Sequence, residues 1–404
     1  MYREAYAHLL MQRGLGIQPG QILCLSIPVQ CADFAATLCR AAYDCGASDV
    51  QVEWTDDETD WLRLRHAEPQ SFDRCPGWVK VRCDEQCALG AAFLKIAAPS
   101  SGTFTPEMLA RQQKWQRALS RAMESYQLGR SRHEVSWCIA CAATPRWAHM
   151  VYPDLTPDEG VQRLWSDIYT CTRSDAPDPI AAWDTHTSEI IKRAEALTAR
   201  RFTAVHLKGP GTDLKVGLPD GAAWGGGAFF VTGNERKTTP NIPTEEIAAT
   251  PSKYETEGTV RATRPLIYQG SVIEGFSLTF TQGKVVSWRA EKGQDALDAL
   301  LNTDEGARYL GEVAIVDDDS LISRMGRIFY CTLFDENASC HLALGSGGKN
   351  KPENGDPYDV RNRRAVNESS IHVDFMVGSG ELDVWGLKEG IKPEAILRQG
   401  RWVL

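Results

Sequence analysis

Gln21-Ile22-Leu23-Cys24-Leu25-Ser26-Ile27-Pro28, then Ala32 to Tyr43, then Val50-Gln51-Val52-Glu53-Trp54 form the stretch that decides the fold. The first segment is a short apolar run held between the Pro19-Gly20 turn and Pro28. The second spaces its apolar residues as a helix does and is closed by Gly46; the third returns to a strand. Strand, helix and strand in this order imply a right-handed βαβ unit and a parallel sheet. Upstream, Tyr2 to Arg13 has apolar residues at helical spacing. Downstream the mixture continues with a helix near Pro106–Leu128, a strand at Val135–Ala140 and helices around Pro157–Thr172 and Asp178–Arg200. Pro177, Pro179 and the Arg200-Arg201 exit set the expected boundary at about residue 200.

From Phe202 the texture changes. Short strands at Ala204–Lys208, Asp213–Val216, Gly258–Ala262, Ser271–Phe276, Leu278–Thr281 and Val285–Ala290 alternate with Gly, Pro, Asn and Asp turns. This spacing predicts a largely antiparallel sheet with a few helices, one at Asp295–Leu301. The expected fold class is therefore α/β: residues 1–200 form a mixed α/β domain with a parallel sheet, and residues 201–404 an α+β domain.

The formal net charge is -9 and no Lys/Arg-rich block stands out. Nucleic acid and anionic lipid both require a concentrated positive field, so neither is expected as a partner. No stretch reaches the roughly 18 apolar residues of a membrane span, and the opening Met-Tyr-Arg-Glu-Ala-Tyr lacks a signal-like apolar core; the expectation is a cytoplasmic protein. The twelve cysteines do not form a metal pattern. Cys24, Cys31, Cys39 and Cys45 sit in or beside apolar runs, where a thiol behaves as a small buried hydrophobe. Cys138-Ile-Ala-Cys141 has no second CxxC to complete a zinc site, and Cys83 and Cys87 are similarly partnerless.

The chemistry-bearing residues gather in the last part of the chain. They read Asn241-Ile-Pro-Thr-Glu245-Glu246, Gly311-Glu312-Val313, Asp335-Glu336-Asn-Ala-Ser-Cys-His341 and His372-Val-Asp374. Carboxylate oxygens with imidazole nitrogens suit zinc, cobalt or manganese acting as a Lewis acid. His372 and Asp374 lie two apart in a strand, so both side chains leave the same face; alone they could equally be a His–Asp pair that satisfies itself. Glu312 opens an apolar strand, where a carboxylate is costly to bury unless paired or metal-bound; an outward, solvated position is the bland alternative. Glu336 and His341 are five apart at the start of a helix or a tight turn, with Asp335 as a cap or supporting partner. Glu245 and Glu246 repel one another unless a cation or proton intervenes, which suits one ligating and one proton-moving carboxylate, although a solvated acidic loop would look the same. Together the four clusters raise the expectation of a metal centre above what each supports singly. There is no P-loop, no G-x-G-x-x-G and no G-x-S-x-G elbow.

Long motifs across nearly the whole chain resemble a known family, the metal-dependent aminopeptidases typified by aminopeptidase T, aminopeptidase S and PepS. They include Gln18-Pro-Gly-Gln21, Val52-Glu-Trp-Thr-Asp-Asp-Glu58, Gly209-Pro-Gly-Thr-Asp-Leu214, Asn241-Ile-Pro-Thr-Glu-Glu246, Gly258–Pro265, Thr303-Asp-Glu-Gly-Ala-Arg308, Thr332–Ala338 and Ile371–Met376. The resemblance implies a two-domain homodimer that hydrolyses N-terminal residues from peptides with one or two divalent metal ions. It implies Glu246, Glu312, Glu336, His341, His372 and Asp374 as ligands. By analogy with other two-metal aminopeptidases, Glu245 is the expected general base. Trp224, beside Gly225-Gly-Gly227, and Tyr358 are candidate substrate-binding residues. One departure stands out: family members carry a tyrosine where this chain has Gly348, and the nearest tyrosine is Tyr358 in a reshaped 351–364 segment. Fold relatives include enzymes acting on small aromatics, so a small-molecule amine is the alternative substrate.

Overall fold

The computed structural model describes residues 1–100, 102, 104–232, 236–347 and 366–404. The chain divides into two compact units: Met1–Thr187 with Ala228–Pro243, and Ser188–Gly227 with Thr244–Leu404. The expected boundary at residue 200 coincides with the end of the helix Pro179–Arg200, whereas the division runs through that helix. A return segment, Ala228–Pro243, belongs to the first unit, because its main chain pairs with Ile139 there.

The first unit is built on four parallel strands, β1 (Ile22–Pro28), β2 (Asp49–Thr55), β3 (Ala92–Ala97) and β4 (Ser136–Cys141), in the order β2-β1-β3-β4. The helix Ala32–Asp44 makes the expected crossover between β1 and β2. Every second residue of β1 is buried, namely Leu23, Leu25 and Ile27, as the two-residue period of a strand requires. Phe34 of the crossover helix stacks on Tyr6 at 5.7 Å and meets Trp165 edge-on at 5.2 Å. The Tyr6 hydroxyl donates to the Cys141 carbonyl at 3.1 Å, tying the N-terminal helix to β4. The helix expected over 106–128 is two helices, Pro106–Ala122 and Glu124–Ser131, broken at Met123. All twelve cysteines are free thiols, and burial pushes the Cys138 thiol well up, which keeps it unreactive.

Among its described residues the second unit contains two large antiparallel sheets and a two-stranded hairpin, Leu266–Tyr268 with Ser271–Ile273. Eight strands run in the order Lys284–Arg289, Ser277–Thr281, Thr256–Arg261, Thr212–Gly217, Ala204–Gly209, Asp383–Lys388, Ile391–Arg398 and Arg401–Trp402. A four-stranded sheet orders His372–Met376, His341–Gly345, Leu310–Ile315 and Ile247–Ala249. One face of this smaller sheet presents Ile247, Ala249, Val313, Ile315, Leu342, Leu344 and Phe375 to a single apolar core. Among the described residues no helix is long and apolar enough to cross a membrane.

Phe34 is 1% exposed, so Phe34→Ala should lower the unfolding free energy of the first unit by about 3–5 kcal/mol through lost burial and the cavity left behind. Denaturant titration measures it; a loss under about 1 kcal/mol would mean that the crossover helix does not depend on this ring.

Candidate metal centre

The core-facing side of the four-stranded sheet fixes what its other side carries. Since successive strand residues alternate faces, burying Val313, Leu342 and Phe375 turns Glu312, His341, Ala343 and Asp374 to the opposite side. Register then sets their separation: Glu312 stands opposite Ala343, and Ala343 opposite Asp374. His341 lies two residues before Ala343, and His372 lies opposite Gly345. Glu246 lies just ahead of its strand and two residues from Ala248, which pairs with Ala314. The donors thus alternate with Ala248, Ala314, Ala343 and Gly345, whose small size leaves space above the sheet.

Glu312 reaches this face through a bulge. Leu310 pairs with Leu344 and both are core residues, yet Glu312 pairs with the next residue, Ala343, so Gly311 is the extra one. Without it, Glu312 would follow Leu310 into the core two residues on. Bulges beside active sites commonly re-aim a side chain in this way. A Cβ on Gly311 would lie 2.3 Å from the Ser346 carbonyl oxygen, so only glycine fits.

The resulting geometry is two triads that share one carboxylate. Glu246, Glu312 and His341 offer ligand atoms within 4.8 Å of one another, as do Glu312, His372 and Asp374. His341 Nε2 is 2.9 Å from Glu246 Oε2 and 3.9 Å from Glu312 Oε1. His372 Nε2 is 3.3 Å from both Glu312 Oε2 and Asp374 Oδ1. The two oxygens of Glu312 therefore face different imidazoles. Both rings are held from behind. His341 Nδ1 donates to the Glu336 carbonyl at 2.9 Å, and His372 Nδ1 donates to the Ser346 carbonyl at 2.7 Å. That fixes the tautomer and leaves Nε2 as the lone-pair donor, the arrangement metal-binding histidines use.

The electrostatics agree. His341 is buried, which disfavours its charge, yet the hydrogen bond to Glu246 and the fields of Glu246, Asp374 and Glu336 push its pKa up to about 10. His372 is likewise raised well above the usual value: burial opposes it, and Asp374 and Glu312 outweigh burial. Burial raises Glu312 and Glu336, with the neighbouring carboxylates adding to it. Asp374 is lowered because His372 and His341 outweigh its burial. Four carboxyls facing two imidazoles hold more negative charge than the imidazoles neutralise, and cations fit that excess. The donor set suits zinc, cobalt or manganese.

The expected ligands Glu246, Glu312, His341, His372 and Asp374 come together in these triads. Glu336 is 6% exposed and joins neither triad, although its carboxyl feels Asp374, Glu246 and Glu312. Glu245 is half-buried, and its main-chain N–H donates to Asn337 Oδ1 at 2.6 Å. Trp224 is 6% exposed within the apolar core, with its N–H bonded to Thr198 Oγ1, so its indole offers little surface to a substrate. Tyr358 and Gly348 lie outside the described residues.

Three residues support the site; of these the sequence suggests only Asp335, as a cap or supporting partner. Asp304 accepts from the Ser369 and Ser370 hydroxyls and the Ser370 N–H, anchoring the approach to His372. These bonds, with the Ala307 N–H, outweigh burial and hold the Asp304 pKa below the usual carboxylate range. Asp335 is 1% exposed; it accepts the N–H groups of Phe329 and Cys331 and lies 3.6 Å from Arg264. Asn337 is fully buried beside Glu336. The signals available in sequence were the Thr303–Arg308 motif and the neighbours of Glu336.

Comparison with known proteins gives the family of the chain. Residues 3–402 match the family model of the thermophilic metalloproteases (M29). The chain is 40% identical to aminopeptidase 2 of Geobacillus stearothermophilus, over 99% of this chain and 97% of that one. It is also 40% identical to aminopeptidase T of Thermus thermophilus, over 99% and 98%. The solved structure of wild-type AmpT from Thermus thermophilus aligns with a TM-score of 0.90 at 39% identity, covering 100% of this chain and 99% of that one. The chain belongs to the thermophilic metalloprotease (M29) family.

Two outcomes follow from the geometry. Gly311→Ala should displace both the Glu312 bulge and the Ser346 carbonyl behind His372, weakening divalent-metal affinity by about 10–100-fold; calorimetry showing unchanged affinity would leave the bulge without that role. The second concerns pH. Both imidazoles are raised above the usual 6.5, so in the metal-free protein they hold protons at neutrality and a bound cation displaces them. Their stabilising contribution is complete below pH 6.5; that of His341 disappears as pH rises through about 10, and that of His372 is likewise lost only well above 6.5. Metal-free protein should therefore lose stability from pH 6.5 towards 10 while metal affinity tightens, with proton release at pH 7 visible as a buffer-dependent binding enthalpy. Absence of proton release would contradict the protonated imidazoles.

Proposed function

We infer that this protein is a metal-dependent aminopeptidase, a hydrolase that removes N-terminal residues from peptides, and that its centre holds two divalent ions. The observation behind the two-ion reading is Glu312, whose oxygens face His341 and His372 in separate triads. Glu246, Glu312 and His341 would hold one ion, and Glu312, His372 and Asp374 the other, with Glu336 supplying a further carboxylate. Zinc, cobalt or manganese ions, when bound there, supply Lewis-acid polarisation and a lowered pKa for water.

The chain's own residues do the rest. Glu245 directly precedes the ligand Glu246, and its main chain is fixed by the bond to Asn337. We assign it the proton transfer: it takes the proton of the attacking water and returns it to the departing amine. The carbonyls of Glu336 and Ser346 hold the imidazoles still during this step, so the site does not reorganise as charge develops. The excess of carboxylates favours the ammonium of a substrate's free N-terminus, which directs the reaction to chain ends. The relatives above are named aminopeptidases, which supports a peptide substrate over an aryl amine. We also propose that it works as a homodimer in the cytoplasm; sedimentation of the purified protein checks the oligomeric state, and cell fractionation the compartment.

His372→Ala and Asp374→Ala should each abolish turnover and weaken metal binding together. Chelation should silence the wild type, and zinc, cobalt or manganese should restore it. Aminoacyl-p-nitroanilides and aryl amines assayed side by side decide the substrate class. Release from the aryl amines alone, or full turnover in either variant, would overturn the assignment.

A further inference from the structure

Asn337 is fully buried, and both the oxygen and the nitrogen of its amide are hydrogen-bonded. Its Oδ1 accepts the Glu245 N–H at 2.6 Å. Its Nδ2 donates to the Leu333 carbonyl at 2.9 Å and to Glu336 Oε1 at 3.4 Å. The opposite amide orientation would set an NH2 against the Glu245 N–H, so the network admits one orientation. The Asn337 carbonyl in turn accepts from the Ser320 hydroxyl at 3.1 Å.

These partners lie on separate segments. Glu245 and Glu246 precede the strand Ile247–Ala249, whereas Glu336 and Asn337 lie on the turn before the strand His341–Gly345. The two strands are not neighbours, since Leu310–Ile315 lies between them. Sheet hydrogen bonding therefore does not directly fix Glu246 against Glu336, and a side chain has to. We propose that Asn337 is a positioning residue that sets the spacing between the Glu245–Glu246 segment and the Glu336 turn, and so the width of the metal centre. Asn337 touches no substrate and acts through Glu245 and Glu336. The inference rests on the metal-centre reading above for its chemistry, and on these bonds for its geometry.

The amide acts at two places at once. Its oxygen holds the main chain at Glu245, beside the proposed ligand Glu246. Its nitrogen steadies the Glu336 carboxyl, whose neighbour carbonyl already orients His341. Asn337→Ala removes both restraints without altering a ligand or the proposed base. Residues of this supporting kind typically change metal affinity or activity by about 10–100-fold.

The experiment compares three variants in the full-length protein. Asn337→Ala should weaken zinc affinity, measured by calorimetry, by about 10–100-fold and lower kcat by a similar factor, with KM within about threefold. Ser320→Ala removes a bond to the Asn337 main chain and leaves the amide in place; it should lower the Tm of the metal-free protein comparably while leaving zinc affinity within about twofold. Asn337→Asp keeps an acceptor of the same length for the Glu245 N–H but gives up the donor to the Leu333 carbonyl and Glu336 Oε1, so it should recover part of the zinc affinity; it also serves if the alanine variant does not fold. Zinc affinity unchanged in Asn337→Ala, an equal loss in Ser320→Ala, or an aspartate no better than alanine would each overturn the proposal. A wild type that binds zinc but cleaves no aminoacyl substrate would instead retire the aminopeptidase reading, and the calorimetry would still decide the role of Asn337.

Discussion

Glu312 lies between two imidazoles on a sheet whose reverse side is sealed against an apolar core, and much of the second unit follows from that placement. A carboxylate there, with Glu246 on one side and Asp374 on the other, is a concentration of like charge that burial makes worse. The metal-free protein relieves it by keeping protons on His341 and His372. A divalent ion does the same more effectively, because it neutralises several oxygens from one point. The chemistry of the centre and its pH behaviour are thus one electrostatic problem with two solutions.

The sheet accommodates that problem by being asymmetric. Val313, Leu342, Leu344 and Phe375 anchor one face, while alanines and a glycine separate the donors on the other. Donors on hydrogen-bonded strands are held far more tightly than donors on loops, which a site that stabilises developing charge needs. The remaining freedom lies where sheet pairing ends: at Glu246 ahead of its strand, at the Glu336 turn, and at the approach to His372. Each of these has a hydrogen-bonding polar residue beside it, the buried Asn337 at the first two and the half-buried Asp304 at the third. Asp335 performs the same service for the 329–331 segment.

Legibility in the sequence followed the strength of the local signal. The β1–helix–β2 unit was readable because apolar alternation in Ile22–Pro28 and helical spacing in Ala32–Asp44 both have clear periods. The elements between them and β4 were not. The helix Gly77–Ala88 buries only Val79 and Cys83 and leaves Trp78 and Val81 exposed, so its pattern shows no single apolar face. The break at Met123 escaped notice because the apolar spacing continues across it. In the second unit most of the expected hairpin strands were placed to within a residue or two, since Gly and Asn turns bound them, whereas the strand expected over Ser271–Phe276 ends at Ile273. The proposed ligand residues were recognisable from donor type and from the family resemblance. Their division into two triads was not, because it depends on strands whose paired residues lie 27 to 35 apart along the chain.

The sequence by itself determined the local elements, the donor chemistry of Glu246, Glu312, Glu336, His341, His372 and Asp374, and the family. Those are properties of a residue and its near neighbours, and they survive without coordinates. Only the tertiary structure decided that Glu312 is shared, that the Gly311 bulge turns it away from the core, that Trp224 is packed inside, and that Asn337 spans two segments. The physical reason is that strand alternation tells which residues share a face, but not which face is buried or which strand lies alongside. Register and an inserted glycine set those, and both are settled by the packing of the whole unit.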